Sequence, residues 1–486
     1  MKAGKRVMSF IAALAVVMTA GAVMPGEPAD LGTAVTASAA VPEYSYVVSK
    51  DGKMEITKYN GTDSVVVIPS VIEGVNVHSI GAEAFYDNDT VTKVVIPEGV
   101  TKIGEQAFSS CSNLTETVIP DTVTSIGREA FSYCHGLTAL PNIAQVTDFG
   151  EGVFSCCKGL KDITLPEGMK VIGDSMFKEC SSLVSAKLPE SLTEIGDSAF
   201  YQCIALEKVV LPKSVKEIDR YAFAYCKGMK SVNLPEGITH ISEDTFRGCE
   251  GLTNIIIPES VTEIYDSAFD GCTALSVVLF RGDDMNTIAA HAFSNTKWLD
   301  IQREKDPLII RFGILIDGAA ATGKVVIPDG VKRISGYAFY QNKEITEVKL
   351  PEGLKRVDTC AFYSCDNLKT VNVPESVTYI GNYAFGFKSS GQFGVRDTVE
   401  GFTLKCYKDT EGHNYAKLNG INYVLTGSLP GDVNDSGEVN MKDLTDLQRY
   451  VNGWPIEINR LNADLDNSGD VGMKDITGLQ RLINSK

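Results

Sequence analysis

Two stretches near the C-terminal end carry oxygen-bearing side chains at the alternating spacing that wraps a hard cation. In the first, Asp432, Asn434, Ser436, Asn440 and Asp443 stand at positions 1, 3, 5, 9 and 12 of a twelve-residue run, with Gly437 at 6 and Glu438 at 7. In the second, set 32 residues on, Asp464, Asp466, Ser468 and Asp475 hold positions 1, 3, 5 and 12, with Gly469 at 6 and Asp470 at 7. Calcium takes six or more oxygens at roughly 2.3–2.6 Å, and a tight loop turned by glycine brings that many to one point. Glu438 and Asp470 enter through their backbone carbonyls, as position 7 does in such loops. The pair predicts two bound calcium ions. Serine replaces the usual acid at position 5 in both loops. Gly472 leaves position 9 of the second without a side chain, where water would stand in, and aspartate at 12 reaches less far than glutamate.

Stepping along from each loop, the chain repeats MKDxTxLQR, so Met441, Lys442, Gln448 and Arg449 answer to Met473, Lys474, Gln480 and Arg481. Residues seven apart share one helix face. One helix is predicted after each loop. Pro430-Gly431 leaves no room for a helix before the first loop, so only the exit helices are expected. This loop-helix duplication over Gly431 to Ser485 is similar to the type I dockerin. The resemblance implies calcium-dependent docking to a cohesin module of a scaffold protein, with loop positions 10, 11, 17 and 18 making the contact. Those positions are filled by the eight residues just named. The competing reading puts the methionines in the core and leaves the basic residues merely solvated. Near-identity of the halves suggests that either one can dock.

The larger part of the chain keeps a different time. Phenylalanine recurs every 23 residues from Phe85 to Phe269, and the series resumes at Phe293, Phe339, Phe362 and Phe385. Around each lies LxxVxIPxxVxxIxxxAFxxC. A fixed period of this length marks a solenoid in which no coil can bury its apolar face alone. LxxVxI predicts a short strand, proline ends it, VxxI turns back to the core, and AF sits on a short helical or irregular segment. Cysteines at 111, 134, 157, 180, 203, 226, 249, 272 and 365 follow the Phe by three, where Asn88 and Asn342 stand in other coils. They read as a buried structural ladder. Stacked coils would set their Cα atoms about 5 Å apart, within reach of a disulfide, so oxidation is the rival reading. Cys156, Cys360 and Cys406 lie off the ladder.

Between Phe293 and Phe339 the ruler skips a beat, with Ile316 where a Phe would fall; a specialised double coil that bends the solenoid is expected there. Tyr44–Ile68 and Phe402–Leu425 read as end caps, and 386–401 as a Gly/Ser-bearing loop. The pattern resembles the BspA-like, bacterial surface-antigen type of leucine-rich repeat. That resemblance implies an α/β fold, a curved leucine-rich repeat solenoid with a parallel strand ladder, followed by the small all-α calcium module. The expected layout is a signal peptide at 1–39, the solenoid with its caps at 40–425, a linker at 426–430 and the dockerin at 431–486.

Lys2, Lys5 and Arg6 lead into the apolar run Val7–Met24, which reads as a secretory leader. Cleavage is expected after Ala39, with Ala22 as the other site and an uncleaved anchor as the competing reading; no other stretch is long and apolar enough to span a bilayer. A net charge of -17 supplies no basic surplus for nucleic acid. Five scattered histidines and the absence of GxSxG, HExxH or CxxC give no catalytic constellation.

Outward strand positions carry few aromatics, whereas Val210, Ile256, Val277 and Leu279 make an apolar stretch suited to a protein partner. The functional expectation is a secreted, non-catalytic subunit of a cellulosome-like complex. It would be held at the cell surface through a cohesin-bearing scaffold, with an unknown protein as the solenoid's partner. By resemblance its setting would be polysaccharide degradation. A carbohydrate-binding subunit and a structural spacer are the alternatives.

Overall fold

The structure is a computed structural model that describes residues 43–390, 396–425, 430–434, 436, 438–466 and 468–485. The expected leader at 1–39, linker residues 426–429 and Gly437 lie outside the described residues. Two compact units emerge: one runs to Gly237 and takes in Cys249–Leu252, the other holds Ile238–Gly248 and the chain from Thr253 onward.

In the first unit, strand Tyr44–Val48 pairs antiparallel with Met54–Tyr59, which then runs parallel to Val75–Ile80. From there each regular coil contributes two short strands to two parallel ladders, stepping 23 residues per rung. One ladder carries Val65–Val67, Lys93–Val95 and Glu116–Val118, then, as a separate sheet, Asp162–Thr164, Ser185–Lys187 and Lys208–Val209. The other carries pairs such as Lys102–Ile103 with Ser125–Ile126 and Glu194–Ile195 with Glu217–Ile218. Side chains alternate as a half-buried strand requires: Glu116 and Val118 are exposed while Thr117 is buried.

The segment around each Phe is neither helix nor strand. From Phe85 to Phe362, the residues two before and two after each Phe of the series adopt left-handed backbone, as at Gln106 (φ 52°) and Ser110 (φ 63°) around Phe108. For non-glycine residues this conformation costs about 1 kcal/mol each. The cost is offset because it turns the amides of Gln106, Phe108 and Ser110 toward the carbonyls of Arg128, Ala130 and Ser132 in the next coil, each at 2.8 Å. Cys156 (φ 60°) and Cys360 (φ 56°), off the ladder, occupy these left-handed positions.

The rings stack. Tyr59 of the N-terminal cap lies 5.0 Å from Phe85, and the column continues to Phe223 with neighbouring centroids 4.9–5.9 Å apart. Beside it runs the cysteine ladder. Each ladder Sγ donates to the carbonyl of the Phe one coil back, from Cys111 on Phe85 at 3.0 Å to Cys180 on Phe154 at 3.2 Å. A small donor is needed at this corner, and a thiol supplies one with little desolvation cost. Asn342 meets the same need with its amide, which donates to the carbonyls of Gly318 and Ala321.

Burial pushes the Cys111 and Cys365 thiols up to about 12, and it raises those of Cys134, Cys157 and Cys203 as well. A thiol whose folded pKa exceeds its unfolded value stabilises the fold fully below the unfolded pKa and loses that contribution as pH climbs through the folded one. The urea midpoint of the repeat region should therefore fall between pH 9 and 12. The fall should be shallower in Cys111→Ala, whereas an unchanged pH profile in that variant would remove the thiol from the account.

In the second unit, helix α1 (Lys297–Lys305) and an antiparallel hairpin of Ile309–Arg311 with Ile314–Asp317 fill the break in the ruler. This corrects the double-coil expectation. Thr296 caps α1 by accepting from the Leu299 amide, Phe312 and Gly313 form the hairpin turn with φ 55° and 73°, and Arg303 grips Asp317 at 2.9 and 2.7 Å. Trp298 packs on Phe293 at 4.8 Å. The hairpin's second strand then starts a new ladder through Arg333–Ile334, Arg356–Val357 and Tyr379–Ile380.

Helix α2 (Glu411–Asn419) supplies the C-terminal cap. Its buried Tyr415 sets its ring edge-on to Phe385, and its hydroxyl both accepts from the Phe385 amide and donates to the Phe385 carbonyl at 3.0 Å. Strands Thr403–Cys406 and Asn422–Leu425 complete the sheet.

Candidate functional site

After the repeats come helices α3 (Met441–Val451), α4 (Arg460–Ala463) and α5 (Met473–Asn484). The single-turn α4 corrects the expectation that only exit helices exist. It forms because Asn459 caps it, taking the Asn462 amide on its side chain and the Ala463 amide on its carbonyl. Val433, Leu444, Leu447, Ala463, Ile476 and Leu479 form its core. Gly431 closes it with φ 97°, where a Cβ would strike Leu479, Leu482 and Val439 at 2.8–2.9 Å. Only glycine fits there.

The two loops are built alike. Ser436 and Ser468 donate their amides to Asp432 and Asp464 at 2.8 and 2.9 Å. Their hydroxyls reach the position 7 carbonyls of Glu438 and Asp470 at 3.2 and 3.0 Å. The buried Asp443 takes the amides of Asn434 and Asn440, and the buried Asp475 those of Asp466 and Gly472. Position 12 thus does two local jobs, folding the loop back and capping the exit helix. Asn440 turns its side-chain oxygen to the Lys442 amide at 2.9 Å and serves as the N-cap of α3.

Two observations test the fit to a divalent cation. Asp464, Asp466 and Asp475 each place one carboxylate oxygen within 4.8 Å of the others'. Three negative charges so close repel one another, and a cation between them reverses the sign. In the first loop the buried Oδ1 of Asn434 has no hydrogen-bond partner among the described residues, although its amide donates to Asp446. A buried unpaired oxygen costs about 1–3 kcal/mol unless something fills the gap. Both donor sets are hard oxygens, which suits calcium.

Met441, Lys442, Gln448 and Arg449 on α3 and Met473, Lys474, Gln480 and Arg481 on α5 are all exposed. The methionines are not core residues: Met441 is 60% exposed and Met473 68%. The leucine and isoleucine positions three to six residues on fill the core instead. One residue escaped the sequence reading: Trp454, 61% exposed, with the Arg449 guanidinium 5.8 Å from its ring. The twofold MKDxTxLQR repeat hid it, since the second half has no counterpart.

In the repeats, Ile256 and Leu279 are register partners on the ladder of Asn254–Ile257 with Val277–Phe280, and Val277 faces out on the same strand. Val210 belongs to the first unit and is 72% exposed there.

The family described as BspA type leucine rich repeat region, in six copies, matches residues 78–207, 193–310 and 319–423. The chain belongs to that family. The dockerin type I domain matches residues 430–484. The chain thus joins BspA-type repeats to a type I dockerin, a module that docks to cohesin and binds calcium; neither kind of region is a catalytic module. Among solved structures it is similar to a leucine-rich repeat protein from Bacteroides ovatus, with 25% identity over 79% of this chain and 99% of that one and a TM-score of 0.47. A leucine rich cell surface protein from Faecalibacterium prausnitzii is 24% identical over 74% and 97%, with a TM-score of 0.44. The pneumococcal vaccine antigen PcpA is 17% identical over 79% and 96%, with a TM-score of 0.40. No curated protein matches. No helix among the described residues is long and apolar enough to cross a membrane.

Proposed function

We propose that this chain is a secreted, non-catalytic subunit of a cellulosome-like complex. It docks to a scaffold cohesin through the calcium-loaded dockerin and presents its BspA-type repeats to a protein partner. The reading keeps a leader at 1–39, repeats to 425 and the dockerin from 431, and puts two calcium ions on the loop residues described above. The observation that carries it is the exposure of the eight equivalent residues Met441, Lys442, Gln448, Arg449, Met473, Lys474, Gln480 and Arg481, on helices whose other faces are buried. The dockerin is the one feature that supports a polysaccharide-degrading setting. The exposed apolar residues Ile256, Val277 and Leu279 favour a protein over a glycan as the repeats' ligand, since sugar rings stack on aromatic platforms.

Calorimetry of the mature chain against a panel of cohesins, with calcium and then with chelator, tests this. Calcium-dependent binding is expected; no binding to any cohesin by a folded dockerin would overturn it. Equivalence of the halves gives a further expectation. Lys442→Glu with Arg449→Glu should leave cohesin affinity almost intact, and adding Lys474→Glu with Arg481→Glu should weaken it more than about tenfold. Complete loss in the first double variant would show that the halves are not interchangeable.

A further inference from the structure

The first unit opens at one junction between coils. In the coil of residues 137–150, Pro141 stands where Val118 and Thr164 serve as strand residues in the coils on either side, and Phe149 stands where Ile126 and Ile172 point into the core. Proline has no amide to give a ladder, and Phe149 is only partly buried where the neighbouring isoleucines are core residues. No strand lies between Glu116–Val118 and Asp162–Thr164 on one ladder, and on the other Asp148–Phe149 pairs back to Ser125–Ile126 but not forward to Val171–Ile172.

The backbone records the gap amide by amide. Thr147, Asp148 and Gly150 donate to Thr124, Thr124 and Ile126 at 3.0, 3.1 and 2.8 Å, and Thr193, Glu194 and Gly196 donate to Lys170, Lys170 and Ile172 at 2.8, 3.2 and 2.9 Å. Between them, the amides of Lys170, Val171 and Gly173 have no acceptor and the carbonyls of Thr147 and Phe149 no donor among the described residues. Glycine gives a second, independent reading. A Cβ on Gly104, Gly127 or Gly150 would strike the preceding coil at 2.6, 2.6 and 2.2 Å, whereas on Gly173 it would meet nothing within 4 Å.

On the Phe side the same coils stay joined: Gly152, Phe154 and Cys156 donate to Asp174, Met176 and Lys178 at 2.9, 3.0 and 2.7 Å. The ring column is widest at this junction, 5.9 Å from Phe154 to Phe177. The result is a cleft of about 530 Å³, open along one face and lined by Val146, Asp148, Phe149, Pro166, Met169 and Val171.

Unpaired acceptors on one rim and unpaired donors on the other are what the two edges of a single β-strand satisfy. We propose that this opening takes one extended peptide segment of a protein partner, added as a strand between the two coils. Each rim is five residues long, 146–150 and 169–173, so the inserted stretch spans about 16 Å. Main-chain hydrogen bonds give the affinity, and apolar Val146, Met169 and Val171 select the side chains. The proposal rests on reading the repeats as a protein-binding region and does not involve the docking helices.

Two measurements on the full chain decide it. In hydrogen exchange, the amides of Lys170, Val171 and Gly173 should exchange freely while Thr124, Ser125 and Gly127, their bonded equivalents, stay protected. Slow exchange at 170–173 in the free chain would overturn the proposal. Phage-displayed random octapeptides are then selected on wild type and counter-screened on Gly173→Leu, whose side chain fills the opening without touching the fold. Selected peptides should lose at least tenfold in affinity to Gly173→Leu and to backbone N-methylation, while protecting residues 170–173 from exchange. Failure to obtain any peptide that discriminates Gly173→Leu, or equal binding of N-methylated peptides, would sink the idea. Thermal melting and cohesin binding of Gly173→Leu should match wild type, which separates this outcome from failure of the docking reading.

Discussion

Phe200→Ala is expected to destabilise the repeat region by about 3–5 kcal/mol, the range for emptying a fully buried aromatic site. Phe200 is completely buried and lies between Phe177 at 5.5 Å and Phe223 at 5.3 Å, so its loss removes two stacking partners at once. The cavity cannot collapse easily. The carbonyl of Phe200 accepts from Cys226, and its amide donates to Ala222, so the backbone that would have to move is tied to the next coil. Because coils in a solenoid contact only their neighbours, the damage should spread locally. Urea titration followed by circular dichroism should show the lowered midpoint, and hydrogen exchange should show the earliest opening around residues 177–226. A loss below about 1 kcal/mol would mean that the ring column is not the chief support of the coils.

Asp443→Ala combined with Asp475→Ala should remove calcium binding and, with it, at least about 100-fold of cohesin affinity. Each carboxylate holds the amides of position 3 and position 9 and starts an exit helix, so the variant loses loop closure and helix caps together. Chelation by itself should do less to the helices, because the aspartates keep their amide partners without the ion. Comparing helicity in wild type plus chelator with that of the double variant separates ligation from capping. Cohesin binding by the double variant at wild-type strength would exclude position 12 from the docking machinery.

The repeat and its Phe column were legible in the sequence because every coil spends the same residues on the same contacts, so the period survives in one dimension. The two oxygen-rich loops were legible for a similar reason: all the residues proposed to ligate calcium in each lie within twelve residues. That Tyr59 and Tyr415 meet the two ends of the ring column was not legible, since each meets its Phe from a different local structure.

What sequence spacing alone decided, then, was the 23-residue coil, the cysteine corner and the twin oxygen-rich loops, each the product of local order repeated. The tertiary structure decided the rest. It placed left-handed backbone on both sides of each Phe from Phe85 to Phe362, because only contact between coils repays that conformation. It put α1 and a hairpin into the break, where Arg303 finds Asp317 across 14 residues. It turned Met441 and Met473 outward, a matter of which helix face the small core claims. And it opened the coil junction after Asp148–Phe149, because whether two neighbouring rungs zip depends on how their backbones come together in space, which no period reports.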